Sequence, residues 1–435
     1  MSATAQQRAA AQRSSGEAPI TPWYRSTTAV VLVPLLALLA TSAWMVWSYL
    51  VSPRGFVDLD VYRLGVQAWQ QGHDMYGVLP LTNVGIELPF IYPPFATLIL
   101  SPLMLLPWIP SVICMMLLSL LSLAVVDYLV VRRMWRAGGR RGAVVLASAL
   151  TPLALLTEPV RDTIWFGQVN LLLMVLVALD CLVVPAEGKK LPWPRGVLVG
   201  IAAAIKLTPA IFLLFFLVRK DFRSSVNSVI AGLVATAIGF AASWSGSLKF
   251  WFGSTGGLHA QSGSPYLTNQ TIWSALGRFG LSHGAQTVGW VVVLAALLAV
   301  TVIGVRRSGA LTPLAMVIVG GFGLLASPVS WGHHWVYCVP AIIAMLIYAA
   351  RSHRTGWWVA AVASAAVYGI APFFFTPTKG GVAYHWSFGD QLLGNSFTIA
   401  AVMLLVLFAW PTVRQLTTGQ RAVTELPRME ADSIR

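Results

Sequence analysis

Apolar runs of membrane-crossing length follow one another along this chain, and that succession restricts the fold more than any motif does. The runs lie near 27–50, 110–131, 143–157, 166–184, 195–206, 208–218, 225–244, 286–305, 311–326, 335–350, 356–375 and 396–413. A bilayer core takes about 20 apolar helical residues per crossing. Backbone in hydrocarbon must satisfy its own hydrogen bonds, so such runs become helices. The expected fold is all-α and polytopic, with about twelve transmembrane helices in a single membrane domain over 27–413. Charge supports this: 57% of residues are hydrophobic and 10% charged, against about 25% charged in soluble domains. The runs 195–206 and 208–218 are short and meet at Thr208-Pro209, which predicts a broken hairpin.

The net charge of +14 does not indicate nucleic acid, because the basic residues cluster between the apolar runs. A cytoplasmic N-terminus leaves seven Lys and Arg outside: Arg54, Arg63, Arg161, Lys206, Lys249, Arg278 and Lys379. That puts 29 − 7 = 22 inside, as positive-inside topology requires. Residues 1–26 are expected to form a disordered cytoplasmic tail and 414–435 a second cytoplasmic tail. The Thr27–Leu50 run exceeds a signal-peptide core and reads as a retained span. Counting 93–107 as a span would move the Arg132–Arg141 cluster outside. That segment is therefore expected to be re-entrant or juxtamembrane, broken at Pro102 and Pro107, within a first outer loop at 51–109. A second outer loop covers 245–285. Cys114, Cys181 and Cys338 lie in or beside apolar runs without C-x-x-C spacing, and imply packing rather than disulfides or metal.

This topology brings five polar stretches to the outer face: Asp58-Leu59-Asp60, Gly167–Asn170, Lys206–Pro209, Asn269–Thr271 and Ser327–His334. Random scatter would divide them between faces, so one outward site is expected. Asp58 opens a segment with Leu59, Tyr62, Val66 and Trp69 at helical spacing, stopped by Gly72, which predicts an amphipathic surface helix. Asp58 suits either an N-cap or chemistry. Asp58 with Asp60 offers a weaker alternative, a divalent-ion pair; no metal site is otherwise expected. Lys206 inside an apolar hairpin is costly, and either snorkels or holds an anionic headgroup. Adjacent His333 and His334 should diverge by about 100° on a helix, so one is expected to contact the ligand and the other to pack. Gln168 and Asn170 serve as helix caps or sugar ligands. Phe250, Trp251, Phe252, Tyr266 and Trp273 in the second outer loop fit either sugar stacking or a membrane interface.

Taken in order, Asp58-Leu59-Asp60-Val61-Tyr62, Gly72, Tyr76, Tyr92-Pro93-Pro94, Gly167–Asn170, Lys206 with Thr208-Pro209, Asn269-Gln270 and Ser327–His334 resemble the landmarks of one family. The chain resembles the GT-C polyprenol-phosphate-mannose-dependent mannosyltransferases of actinobacteria, glycosyltransferase family 87. That resemblance implies a GT-C fold with juxtamembrane helices in the first outer loop. It also implies an inverting transfer of mannose from polyprenyl-phosphate-mannose to a phosphatidylinositol mannoside, tetramannoside to pentamannoside in α-1,2 linkage. The family's aspartate stands four residues before a tyrosine matched here by Tyr62, which selects Asp58 as the catalytic base and leaves Asp60 secondary. Lys206, His333, His334 and Arg63 are the candidates for the donor phosphate. Tyr62, Gln168, Asn170, Asn269, Gln270 and Trp331 are the candidates for sugar and acceptor. No cofactor is expected, and the enzyme would sit in the plasma membrane with its site facing the periplasm. Relatives that extend lipomannan or lipoarabinomannan are an alternative within the family. A lipid-linked sugar transporter is an alternative outside it, but neither an internal repeat nor midplane polar groups support one.

Overall fold

The computed structural model describes residues 22, 24, 26–51, 55–185, 189–253 and 266–409. Both expected tails lie outside the described residues, apart from Pro22, Tyr24 and Ser26. Eighteen α-helices follow in chain order among them. The first ten are α1 (Thr27–Val51), α2 (Val57–Gln70), α3 (Pro94–Met104), α4 (Trp108–Met134), α5 (Gly139–Ala154), α6 (Glu158–Phe166), α7 (Asn170–Leu182), α8 (Val197–Ile205), α9 (Leu213–Val218) and α10 (Phe222–Ala242). The remainder are α11 (Trp244–Phe252), α12 (Ile272–Arg278), α13 (His283–Ser308), α14 (Thr312–Ala326), α15 (Cys338–Ser352), α16 (Thr355–Ile370), α17 (Phe388–Gly394) and α18 (Ser396–Ala409). A two-stranded antiparallel ribbon, Thr378–Lys379 with Val382–Ala383, is the sheet formed by the described residues.

The protein is a multi-pass membrane protein. Five helical stretches are long and apolar enough to cross a bilayer, or seven if each bent pair is one span. The bent pairs are Arg136–Ala154 with α6, at 76°, and α17 with α18, at 70°. Several expected spans become shorter apolar helices, α7 and α14 among them. Leu36, Leu121, Leu233 and Val292 stay 61–64% exposed on outward faces, where lipid rather than water suits them. Inside, one continuous apolar core joins the helices.

The broken hairpin appears as α8, a 3-10 turn at Thr208–Phe212, and α9. Pro209 sits in the first turn of the 3-10 segment, where its missing N–H costs nothing. Residues 93–107 hold the single helix α3, and Pro102 lies inside it rather than breaking it. The break falls after Met104, and Pro107 then caps the start of α4. The predicted amphipathic helix is α2, with Leu59, Tyr62 and Val66 buried. Trp69 fastens it by donating its indole N–H to the Ala242 carbonyl at 3.1 Å.

Candidate active site

The site begins where α2 meets the end of α6. Phe56, in the left-handed region at φ 65°, precedes α2, and its N–H donates to the Trp165 carbonyl at 2.7 Å. Gly167 closes α6 at φ 69°; a Cβ there would lie 2.7 Å from the Leu59 Cβ. Glycine therefore lets α2 lie against this turn, which brings Gln168 to Asp58.

Asp58 does not cap its helix: the N-cap is Phe56, and the Asp58 Oδ2 accepts from Gln168 Nε2 at 2.7 Å. Gln168 Oε1 accepts from the hydroxyls of Tyr62 (2.7 Å) and Tyr92 (3.0 Å), which are 2.8 Å apart. Two donors thus fix which end of the amide points at the carboxylate. The Asp58 Oδ1 has no hydrogen-bond partner among the described residues. Burial pushes the Asp58 carboxyl up to about 6, against the opposing pull of the Gln168 hydrogen bond and the Lys206 charge. A carboxylate so poised still ionises at neutral pH and is a better base than a solvated one.

Opposing groups converge on the same cavity. α8 ends at Ile205, so Lys206 stands at a helix break in extended conformation (φ −150°, ψ 131°) rather than within a helix. Its Nζ donates to Asn170 Oδ1 at 3.0 Å, lies 3.2 Å from His334 Nε2, and sits 5.5 Å from the Tyr92 ring centroid. Asn170 also donates to the His333 carbonyl (2.9 Å), as does the Thr163 hydroxyl (2.7 Å). These bonds hold the 3-10 turn Gly332–Tyr337. A side chain at Gly332 would collide with Glu158, whose carboxylate occupies the space at 2.2 Å from an added Cβ.

Asp58, Tyr62, Tyr92, Gln168, Lys206, Trp331, His333 and His334 line one cavity of about 320 Å³. Its size lies at the lower end for small-ligand sites. Both histidines line it, contrary to the expectation that one would turn away: their rings meet edge to face at 4.7 Å on the tight turn. His333 Nε2 and His334 Nδ1 lack hydrogen-bond partners among the described residues. Asn170 lies just behind, as the holder of Lys206 and His333 rather than as a helix cap.

Besides Asn170, four candidates fall outside the cavity. Asp60 accepts from the Asn83 backbone N–H at 2.7 Å; residues two apart on a helix diverge, so Asp60 faces that turn while Asp58 faces the cavity. Arg63 donates to the Leu106 carbonyl (2.8 Å) and the Ser111 hydroxyl (2.7 Å), fastening α2 to the turn before α4 rather than meeting a donor phosphate. Asn269 is fully buried and accepts from the Ser330 N–H at 2.9 Å. Gln270, also fully buried, donates to the Leu267 and Gly394 carbonyls (2.7 Å each) and accepts from the Phe397 N–H (3.2 Å). Both amides are engaged by loop backbone and lie away from the cavity. Among the outer-loop aromatics, Phe250 reaches the cavity, while Tyr266 packs on Trp331 at 6.3 Å. Sequence reasoning missed Thr163 and Glu158. The acidic residue at the junction of two apolar runs was the one available signal.

The sequence profile of glycosyltransferase family 87 matches residues 90–328. A Mycolicibacterium smegmatis protein named polyprenol-phosphate-mannose-dependent alpha-(1-2)-phosphatidylinositol mannoside mannosyltransferase is 34% identical over 95% of this chain and 96% of its own length. A Mycobacterium tuberculosis protein of the same name is 32% identical, over 91% and 94% respectively. A second M. tuberculosis protein, named for the pentamannoside acceptor, is 31% identical over 75% and 74%. No solved structure matches the chain. With Asp58, Tyr62, Tyr92, Gln168, Lys206 and the His333 turn gathered on one cavity and relatives aligned across nearly its whole length, the chain belongs to glycosyltransferase family 87.

Proposed function

We propose that this protein is an inverting mannosyltransferase. It moves mannose from polyprenyl-phosphate-mannose to a lipid-anchored phosphatidylinositol mannoside, tetramannoside to pentamannoside in α-1,2 linkage, on the outer face of the plasma membrane. The donor and acceptor are those in the names of relatives that cover the chain almost end to end. The observation that carries the chemistry is a carboxylate and an ammonium on one small cavity, each held by its own polar scaffold.

The reaction is a single displacement. An acceptor hydroxyl attacks the anomeric carbon as its proton passes to the free Oδ1 of Asp58. The bond from that carbon to the phosphate oxygen breaks on the opposite face, and the electron pair leaves with the polyprenyl phosphate. Asp58 later returns the proton to solvent. A phosphate needs no general acid to depart, so one carboxylate suffices where glycoside hydrolysis uses two. Lys206 offsets the charge that grows on the leaving phosphate, and the partnerless nitrogens of His333 and His334 offer it further contacts. Because Asp60 turns away from Asp58, the reaction as written engages no divalent ion, and activity should persist in chelator.

The test is a mass assay of purified protein with polyprenyl-phosphate-mannose and defined phosphatidylinositol mannosides. The expected product is the tetramannoside plus one hexose in inverted, α-1,2 linkage. Transfer from a different lipid-phosphate sugar, or to lipomannan alone, would redirect the assignment. Orientation is tested separately by impermeant thiol labelling of single cysteines placed at the exposed positions Glu87 and Arg223, where only the first should react from the periplasm.

A further inference from the structure

A second and larger cavity, of about 720 Å³, lies beside the catalytic one and shares Pro328 with it. Trp273, Arg278, His283, Gln286 and Trp290 form much of its wall. Two features distinguish it from a lipid-facing groove. Trp290 Nε1 and Arg278 Nε are buried N–H groups without a partner among the described residues, and buried donors are ordinarily satisfied. The two indoles meet edge to face at 6.0 Å, and the His283 ring lies 5.6 Å from Trp273. Trp273, His283 and Trp290 thus form an aromatic wall of this cavity that can take the C–H faces of sugar rings. Gln286 donates Nε2 to the Trp273 carbonyl (2.8 Å), which leaves its Oε1 as an acceptor.

The wall between the cavities is braced. Arg278 donates to the Tyr266, Leu267 and Asn269 carbonyls at 3.0, 3.1 and 2.6 Å. Asn269 in turn holds the Pro328–Ser330 backbone through its side chain. Asn269 therefore ties the second cavity to the loop that lines the first. The catalytic cavity suits one sugar with its phosphate; an acceptor of several sugars needs further room within reach of Asp58.

We propose that the Trp273–Trp290 cavity is an acceptor subsite that binds the hexose units of a lipid-anchored oligosaccharide behind the reacting one. The proposal rests on the mannosyltransferase reading above. Its consequence is length preference: an acceptor reaching the subsite is used better than a single sugar on a short alkyl chain.

The experiment compares kcat/KM for phosphatidylinositol tetramannoside and for octyl α-mannoside in wild type, Trp290→Ala and Trp273→Ala. The wild type should prefer the long acceptor, and each variant should lose at least about tenfold of that preference through KM, as expected for removing a buried aromatic anchor. An unchanged donor KM reports that each variant is folded. Trp290→Phe, which keeps an aromatic face, though a smaller one, and removes the N–H, should lie between. Tryptophan emission of the wild type should also respond to the water-soluble tetramannoside headgroup, and the response should vanish in Trp290→Ala. Transfer by wild type with full preference retained in both variants, or no optical response to the headgroup, would overturn the subsite while leaving the catalytic assignment intact. Wild type that transfers to neither acceptor would instead overturn the mannosyltransferase reading, and the subsite with it.

Discussion

Gln168 and Gln270 are the same residue type, both buried and both on stretches expected at the outer face, yet the fold uses them oppositely. The Gln168 side chain bonds to side chains that line the cavity: Asp58, Tyr62 and Tyr92. Gln270 bonds only to backbone, joining Leu267, Gly394 and Phe397. The partners decide the role. An amide whose partners face a ligand tunes chemistry, and one whose partners are peptide groups holds a loop in place. Substitutions should therefore separate the two regions by readout, catalysis for one and stability for the other.

The largest break is expected at the residue Gln168 supports. Asp58→Asn keeps the shape and a hydrogen-bonding group but cannot take the proton. Turnover should fall by about 10²–10⁴, the usual worth of a general base, with unchanged yield in the membrane and unchanged Tm. A variant with near-normal kcat would remove Asp58 from the mechanism.

Lys206→Ala comes next. Loss of one positioned charge at a developing anion costs about 10²–10³ in kcat, and the donor KM should rise as well. This variant also tests the acid limb of the pH profile. In wild type, kcat/KM should fall as pH drops through about 6, because the Asp58 carboxyl then holds a proton and cannot act as a base. The Lys206 charge and the Gln168 hydrogen bond both pull that carboxyl down. Removing either should move the limb to higher pH. Gln168→Leu is expected to lose about tenfold at neutral pH from the missing bond to a charged group, with its limb displaced upward. A limb that stays near pH 6 in both variants would mean another group titrates.

On the other side of the comparison, Gln270→Ala leaves the Gly394 carbonyl and the Phe397 N–H buried without that partner, while the Leu267 carbonyl keeps Arg278. Each such group costs about 1–3 kcal/mol, so Tm should drop while kcat per folded molecule changes little. A normal Tm with lost activity would return Gln270 to the ligand.

The sequence carried the membrane class, the α2 helix and the gathering of Asp58, Gln168, Lys206 and the His333 turn, because each rests on local pattern or on charge sidedness. It could not separate Gln168 from Gln270. Both are polar residues among apolar ones, and the difference lies in long-range partners 106 and 127 positions away. Arg63 misled for a related reason: an outer arginine suggests phosphate, but α2 rotates it toward the turn before α4. Pro102 illustrates the opposite limit. Proline signals a break from sequence, but near the end of a helix it is absorbed without one.

The smallest effect is expected at Asp60, and it sharpens the comparison within a single helix. Asp58 and Asp60 are two residues apart, so α2 sends one toward the cavity and the other toward the 82–86 loop. Asp60 accepts one backbone N–H from Asn83 and is partly exposed, and its neighbour Asn83 is further anchored by a side-chain bond to the Gly55 carbonyl at 3.1 Å. Asn at position 60 retains an acceptor oxygen for Asn83. Asp60→Asn should therefore change kcat/KM by no more than about twofold, the range of an exposed substitution away from the reacting groups, and leave the acid limb where wild type has it. The same assay with and without chelator decides the remaining question about the pair. If Asp60→Asn were as inactive as Asp58→Asn and chelator abolished wild-type turnover, both carboxylates would have to turn onto one ion, which requires α2 to unwind at its first turn when the substrates bind.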